Sequence, residues 1–281
     1  MRVIKSYFLD IEPKYREFNS SKFVILPVPY EKTTSYGKGT KYGPNAIFEA
    51  SQHVENYDVE LDNEPYKAGI CVKHQVISMS QLQKETENIL KHKKIPITIG
   101  GEHSISIWPV KACQKNYNNL SVLQFDAHAD LRNIFHGRSD SHGCIARRIL
   151  EVCPIVQVGI RSMSKGERDF AKQSDQWSRI HFADKNIDIK KILKQLSDTV
   201  YITFDVDVFD PSIVPATGTP EPGGLLWEQI LNVLKQVIKE KNVVGMDFVE
   251  LAPRKDDNVS DFTIAKLIYK AIGFLCKFMV K

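Results

Sequence analysis

The stretch Ser121-Val122-Leu123-Gln124-Phe125-Asp126-Ala127-His128-Ala129-Asp130 joins a short, mainly apolar run to a segment with an acid or an imidazole at every second position. On an extended backbone successive side chains point to opposite faces, so Asp126, His128 and Asp130 would project to one side. A second run ends in Phe204-Asp205-Val206-Asp207 and has the same form. A third ends at Ile99 and leads into Gly100-Gly101-Glu102-His103-Ser104. His103, Asp126, His128, Asp130, Asp205 and Asp207 are therefore candidate metal ligands.

Working outward, short apolar runs at 22–27, 95–99, 121–125, 155–158, 200–204 and 243–246 read as strands. Helical spacing appears at 80–91, and more clearly at 226–239 through Ile230, Leu231, Leu234, Val237 and Ile238. It returns at 263–279, with Ser260 or Asp261 as the expected N-cap. Strands alternating with helical patterns predict an α/β fold around a mainly parallel sheet. No repeat, low-complexity tract or Pro/Ser-rich linker divides residues 1–281, so a single domain is expected. In open parallel sheets ligands bind beyond the carboxyl ends of the strands. The three motif segments, and Val249-Glu250-Leu251 after the 243–246 run, all fall at such ends.

Composition bounds the rest. Lys and Arg number 38 against 34 Asp and Glu, a net +4 without clustering, which predicts no nucleic-acid or membrane surface. Lys190, Lys191 and the lysines at 91–94 read as solvated helix faces. The five cysteines, Cys71, Cys113, Cys144, Cys153 and Cys276, form no CxxC pair. That argues against a disulfide framework or thiolate zinc site and favours a reducing cytoplasm. Met1-Arg2-Val3-Ile4-Lys5-Ser6 carries charges where a signal peptide needs an apolar stretch, and no apolar run reaches membrane-spanning length.

One DxD pair or lone histidine is weak evidence, since most are turn residues, caps or surface groups. His53, His74, His92 and His181 have the bland reading. Carboxylates at the ends of core strands are different, because buried unpaired charge is costly. No Lys or Arg enters these segments before Arg132, so cations are the economical compensation. Carboxylate oxygens with imidazole nitrogens and no thiolate favour Mn²⁺ or a similar hard divalent ion. Four aspartates balance two such ions. A pair of this kind lowers the pKa of water towards ~7, which is hydrolytic chemistry.

GGEHS (100–104), DAHAD (126–130), SHG (141–143), DVDVFDPSIVPATGTPEPGG (205–224) and GMDFVELAP (245–253) resemble the ureohydrolase family of arginase and agmatinase. SYGKGTKYGPNAI (35–47) and VGIRS (158–162) extend the resemblance over most of the chain. It implies a three-layer α/β/α arginase-like fold and two Mn²⁺ per subunit. His103, Asp126, Asp130 and Asp205 would hold one ion. Asp126, His128, Asp205 and Asp207 would hold the other. The resemblance gives Glu250 the role of guanidinium-binding carboxylate, His142 that of proton shuttle, and Thr219 a place in the substrate pocket. The bland readings are a strand-end ion pair for Glu250 and a loop cap for His142. Asp210 before Pro211 reads as a turn residue, Glu102 as a structural hydrogen-bond partner, and Gly218, Gly223 and Gly224 as turn glycines.

The stretch 131–138 lacks the Asn- and Ser-bearing loop of arginase-like members, and SHG with Glu221 in TPEPGG looks more like agmatinase. The expected reaction is hydrolysis of agmatine to putrescine and urea by a dimanganese-activated hydroxide, a step of polyamine biosynthesis. Arginase, guanidinobutyrase or formiminoglutamase-like activity, or a non-catalytic metal-binding homologue, are the alternatives. Arg132, Arg138 and Arg147 leave two readings open: an inward-facing arginine would favour a substrate carboxylate, whereas arginines facing solvent or a neighbouring subunit would not affect the choice. The resemblance also implies a homo-oligomer, a trimer or hexamer.

Overall fold

The computed structural model describes residues 7–183 and 186–278. Its strands are β1 (Phe23–Val28), β2 (Ile70–Val72), β3 (Ile95–Gly100), β4 (Leu120–Phe125), β5 (Ile155–Ile160), β6 (Ile180–Phe182), β7 (Thr199–Asp205) and β8 (Asn242–Val249). They form one parallel sheet in the order β2-β1-β3-β8-β7-β4-β5-β6. The helices are α1 (Gly43–Ser51), α2 (Met79–Lys91), α3 (Ile107–Asn116), α4 (Ile145–Leu150), α5 (Lys165–Gln173), α6 (Ile189–Gln195), α7 (Trp227–Glu240) and α8 (Val259–Phe278). α1, α6, α7 and α8 pack on one face of the sheet and α2 to α5 on the other, which makes three layers.

A sheet covered on both faces needs strands that are apolar throughout, not alternating. β1, β3, β4 and β5 are accordingly buried at every position. Phe125, Phe204 and Phe248 lie level across β4, β7 and β8, with neighbouring rings 5.0 and 5.5 Å apart. Among the buried polar residues that interrupt these runs are Gln124, Gln157, Thr203 and Asp247. All four turn out to serve the same edge of the sheet.

β3, β8, β7 and β4 are consecutive neighbours, so the segments after them emerge side by side. The backbone there differs from the sequence expectation. β4 stops at Phe125, and residues 126–130 form a loop in which Asp130 takes a positive φ of 50°. Asp205 closes β7, while Asp207 lies in a tight turn over Val206–Val208. The acids converge because of turns beyond the strands, not because of strand pleat. Gly101 is required by packing, since a Cβ there would lie 2.0 Å from the Tyr30 carbonyl oxygen.

The last helix begins at Val259, one turn before the expected start. Its amide donors at Val259 and Ser260 are met by Asp257 Oδ1 at 3.0 and 3.4 Å, so Asp257 caps it in place of Ser260 or Asp261. The expected end at Met279 lies outside the described residues. Among the described residues no helix is long and apolar enough to cross a membrane.

Candidate active site

His103 starts a tight turn between β3 and α3 and is buried. Its Nδ1 faces Asp126 Oδ2 at 3.2 Å, Asp205 Oδ2 at 3.3 Å and Asp130 Oδ2 at 3.5 Å. On the far side of the ring, Nε2 lies 2.9 Å from Thr203 Oγ1. The Thr203 hydroxyl donates to Asp247 Oδ1 at 2.7 Å, and the Tyr201 hydroxyl donates to Asp247 Oδ2 at 2.9 Å. A threonine hydroxyl has one proton, and Asp247 takes it. His103 Nε2 must then carry a proton, which leaves Nδ1 as the nitrogen open to a cation. That atom has no hydrogen-bond partner although it is fully buried.

His128 repeats the arrangement. Its Nδ1 lies 2.9 Å from Asp207 Oδ2 and 3.7 Å from Asp126 Oδ1, and its Nε2 faces Glu221 Oε1 at 3.6 Å. Asp207 also accepts from the Ala127 amide at 2.9 Å, and its own amide donates to Asp205 Oδ1 at 2.9 Å. Asp126 is held from below: Gln124 Nε2 donates to Oδ2 at 2.6 Å and the His128 amide to Oδ1 at 2.6 Å. Gln157 donates in turn to Gln124 at 2.9 Å, and Gln176 to Gln157 at 2.9 Å. Two groups of donor atoms each lie within 4.8 Å of one another: His103, Asp126 and Asp205, and Asp126, His128 and Asp207. Asp126 is common to both.

The charge balance points the same way. Burial and Asp207 raise Asp126 above the usual carboxylate range, and burial with Asp126 raises Asp130 to about 7. Burial, Asp207 and Asp126 likewise raise Asp205 well above the usual carboxylate range. Burial disfavours a charged His128, yet Asp207 and the other acids outweigh it and bring the imidazole up to about 11. Acids that repel one another and pull protons onto their histidines lack positive charge. Oxygen and imidazole donors at this spacing, with His103 Nδ1 turned to three acids, fit divalent cations.

Next to this cluster is a cavity of about 270 Å³. Glu250, His142, Thr219, Arg132, Phe135 and Glu167 are among its lining residues. Glu250 follows β8 with a positive φ of 67°, a strained conformation for a non-glycine residue. Its Oε1 accepts from the His103 amide at 2.6 Å, and burial pushes its carboxyl up to about 8. His142 sits at the start of the turn before α4, its ring edge-on to Phe135 at 5.5 Å. Burial lowers its basicity and Glu102 opposes that effect. Asp210 accepts from Ser212, Gly223 and Gly224 and lies in a turn, outside the ligand cluster.

Of the three arginines, only Arg132 lines the cavity. Its Nε is 3.6 Å from Glu167 Oε2 and its guanidinium lies over the Phe135 ring. Arg138 is exposed and paired with Asp140, and Arg147 stacks on Phe170. Sequence reading missed Gln124, Thr203, Asp247 and the Gln157–Gln176 pair. Gln124, Gln157, Thr203 and Asp247 are polar residues inside strands otherwise apolar on both faces, which marks them as unusual but does not show what they reach; Gln176 lies in the short turn Asp175–Arg179 and carries no such mark. Sequence reading also missed Arg161, whose guanidinium is bonded to the carbonyls of Gly159, Asp207, Val208, Phe209, Glu221 and Pro222, and so ties the Asp207 turn to the Glu221 loop.

A three-layer parallel sheet with an Asp/His cluster of this kind at its carboxyl edge defines a metal-dependent hydrolase. The model of the arginase family matches residues 21–273, and the chain belongs to that family of binuclear metal enzymes. The chain is 37% identical to the N(1)-aminopropylagmatine ureohydrolase of Synechocystis sp., an alignment covering 95% of this chain and 93% of the relative. It is 35% identical to the agmatinase of Pyrococcus horikoshii over 94% of this chain and 95% of that protein. The solved structure of the agmatine ureohydrolase of Thermoplasma volcanium superposes with a TM-score of 0.84 at 29% identity, covering 94% of this chain and 93% of that one.

Proposed function

We propose that this protein hydrolyses the guanidinium group of agmatine, or of its N-aminopropyl derivative, to release urea and the corresponding amine. For agmatine that amine is putrescine. The observation carrying the reading is the position of Glu250: a buried carboxylate, against the His103 amide, on the wall of the cavity beside the metal-binding cluster. His103, Asp126, Asp130 and Asp205 would hold one Mn²⁺, and Asp126, His128, Asp205 and Asp207 the other. When bound, such a pair supplies a strong nucleophile from water at neutral pH and polarises the reacting carbon's substituents.

The chain's own side chains account for the rest. The Glu250 carboxylate pairs with the planar guanidinium through charge-assisted hydrogen bonds and fixes the carbon above the cluster. A cation there also repays the ionisation that burial makes costly. His142 moves a proton at Nε2 towards the leaving nitrogen, and Thr219 shapes the pocket wall. Gln124 and Thr203 orient Asp126 and His103.

The substrate's tail is read at the mouth. Arg132 is matched by Glu167 there, so the arginine presents little net positive charge and a polycationic tail is tolerated. That favours an amine over a carboxylate at the far end, and the Synechocystis and Pyrococcus relatives have names of this substrate kind. The five free cysteines support a cytoplasmic location, and a homo-oligomer, trimer or hexamer, is the accompanying expectation.

The test is urea release with added Mn²⁺ from agmatine, N(1)-aminopropylagmatine, arginine and 4-guanidinobutyrate. Turnover on one of the first two at least tenfold above the others supports the reading. Preference for arginine or guanidinobutyrate, or no urea from any, overturns it.

A further inference from the structure

Thr33 lies in the loop after β1, far in sequence from any ligand, yet it touches both His142 and Glu102. Its hydroxyl donates to Glu102 Oε1 at 2.7 Å. Its oxygen lies 3.2 Å from His142 Nδ1 and accepts the His142 backbone amide at 3.1 Å. Glu102 is buried beneath the site, and its other contacts are all donors: the amides of Lys32 and Thr33 and the hydroxyl of Ser104. With donors at every contact, Glu102 accepts throughout and takes the proton on Thr33. The Thr33 oxygen is left with two lone pairs, one for the His142 amide and one for the ring.

We infer that Thr33 is a positioning residue for the reaction: it relays the Glu102 carboxylate to His142, holding the ring as the Nδ1–H tautomer with the Nε2 lone pair turned to the cavity. Nε2 faces Ser35 Oγ at 3.4 Å on the cavity wall. A ring locked in this tautomer cannot begin as a donor at Nε2. It first takes a proton from the attacking water there, and the imidazolium is stabilised through Thr33 by the Glu102 charge. It then hands that proton to the leaving nitrogen as the C–N bond breaks. The water oxygen stays on carbon as the urea oxygen. Both water protons end on the amine, which leaves as R–NH₃⁺, so charge and atoms balance. Ser141 Oγ, 3.3 Å from Nδ1, is a weaker second partner on the same side of the ring.

This inference rests on the guanidine-hydrolase reading, and two readouts separate the two. The first is the nitrogen spectrum of ¹⁵N-histidine-labelled full-length protein free of paramagnetic ions, at about pH 8, where an imidazole near its ordinary value is neutral. The His142 signal, known by its loss in His142→Ala, should report Nδ1–H in wild type and lose that preference in Thr33→Val. A wild-type ring protonated at Nε2 overturns the relay whatever the substrate is.

The second readout is kinetic, in Mn²⁺-loaded enzyme. A general acid or base contributes ~10²–10⁴-fold, so losing its orientation should lower kcat about tenfold or more, with KM and metal content near wild type. Thr33→Ser, which keeps the hydroxyl, should recover most of the loss. In a His142→Ala background Thr33→Val should cost little more, because the residue it serves is gone. An equal loss in both backgrounds, a loss of metal in Thr33→Val, or no recovery with serine overturns the relay. A wild type that releases urea from no guanidine overturns the functional reading and leaves the tautomer result to stand or fall alone.

Discussion

His103 Nε2 and Thr203 Oγ1 are 2.9 Å apart in the interior of the sheet, and the hydroxyl's own proton is committed to Asp247. This contact decides which imidazole nitrogen is free for a cation. Thr203→Val keeps the shape and removes the acceptor, so the ring loses its tautomer preference and Asp247 loses a donor. Outer partners of metal-bound histidines typically account for 10–100-fold in affinity. Mn²⁺ binding by Thr203→Val, measured by equilibrium titration, should weaken by about that factor while the fold is retained.

Asp126 contributes to both groups of donor atoms, whereas Asp207 belongs to one. Asp126→Asn should therefore lower occupancy of both ions and nearly abolish turnover. Asp207→Asn should mainly weaken the ion near His128. Metal analysis of the two variants side by side checks the difference. Two ions retained in Asp126→Asn would contradict it.

The sites differ in how far the sequence revealed them. All six core strands were legible because a doubly covered parallel strand is an unbroken apolar run. β2 and β6 were not, since Ile70–Val72 and Ile180–Phe182 are too short to show any period. The reading of β8 stopped at Met246 because Asp247 follows, yet the strand continues to Val249 with that acid buried against Thr203 and Tyr201. α1, α3, α4 and α5 escaped notice, and α6 showed only as the solvated helix face of Lys190 and Lys191: they are brief, α3 contains Pro109, and α5 is mostly polar. The ligand candidates could be named from spacing and resemblance. Their supports could not, because Gln157, Gln176, Thr33 and Asp247 reach the cluster only through tertiary contacts.

Asp210 offers a test of local stability. Ser212 holds its carboxyl down at about 2 through the hydroxyl and amide, with further help from the Gly223 and Gly224 amides. The folded value lies below the ordinary one, so the ionised form favours the fold. That contribution is present above about pH 4 and is lost as pH falls towards the folded value. Asp210→Ala should lower Tm at pH 7, and its difference from wild type should shrink below about pH 4. Asp210 is only partly buried, so the effect is modest. A difference that grows on acidification would contradict the assignment.

Glu250→Gln separates guanidine chemistry from generic two-metal hydrolysis. Glutamine keeps the shape, loses the charge and turns an N–H donor towards the guanidinium. Loss of a charged hydrogen-bond partner costs about 1.5–3 kcal/mol, so kcat/KM should fall at least about tenfold. Glu250 lies outside the donor groups, so metal content should be unchanged. Wild-type turnover on every guanidine would show that Glu250 does not hold that group.

Titrating chelator-treated protein with Mn²⁺ while following urea release from agmatine and N(1)-aminopropylagmatine tests whether guanidine hydrolysis depends on two shared-ligand ions. Stripped protein should show no turnover, and activity should saturate at two ions per chain. Undiminished urea release without metal, or full activity with neither ion bound at the Asp126 cluster, would contradict that dependence.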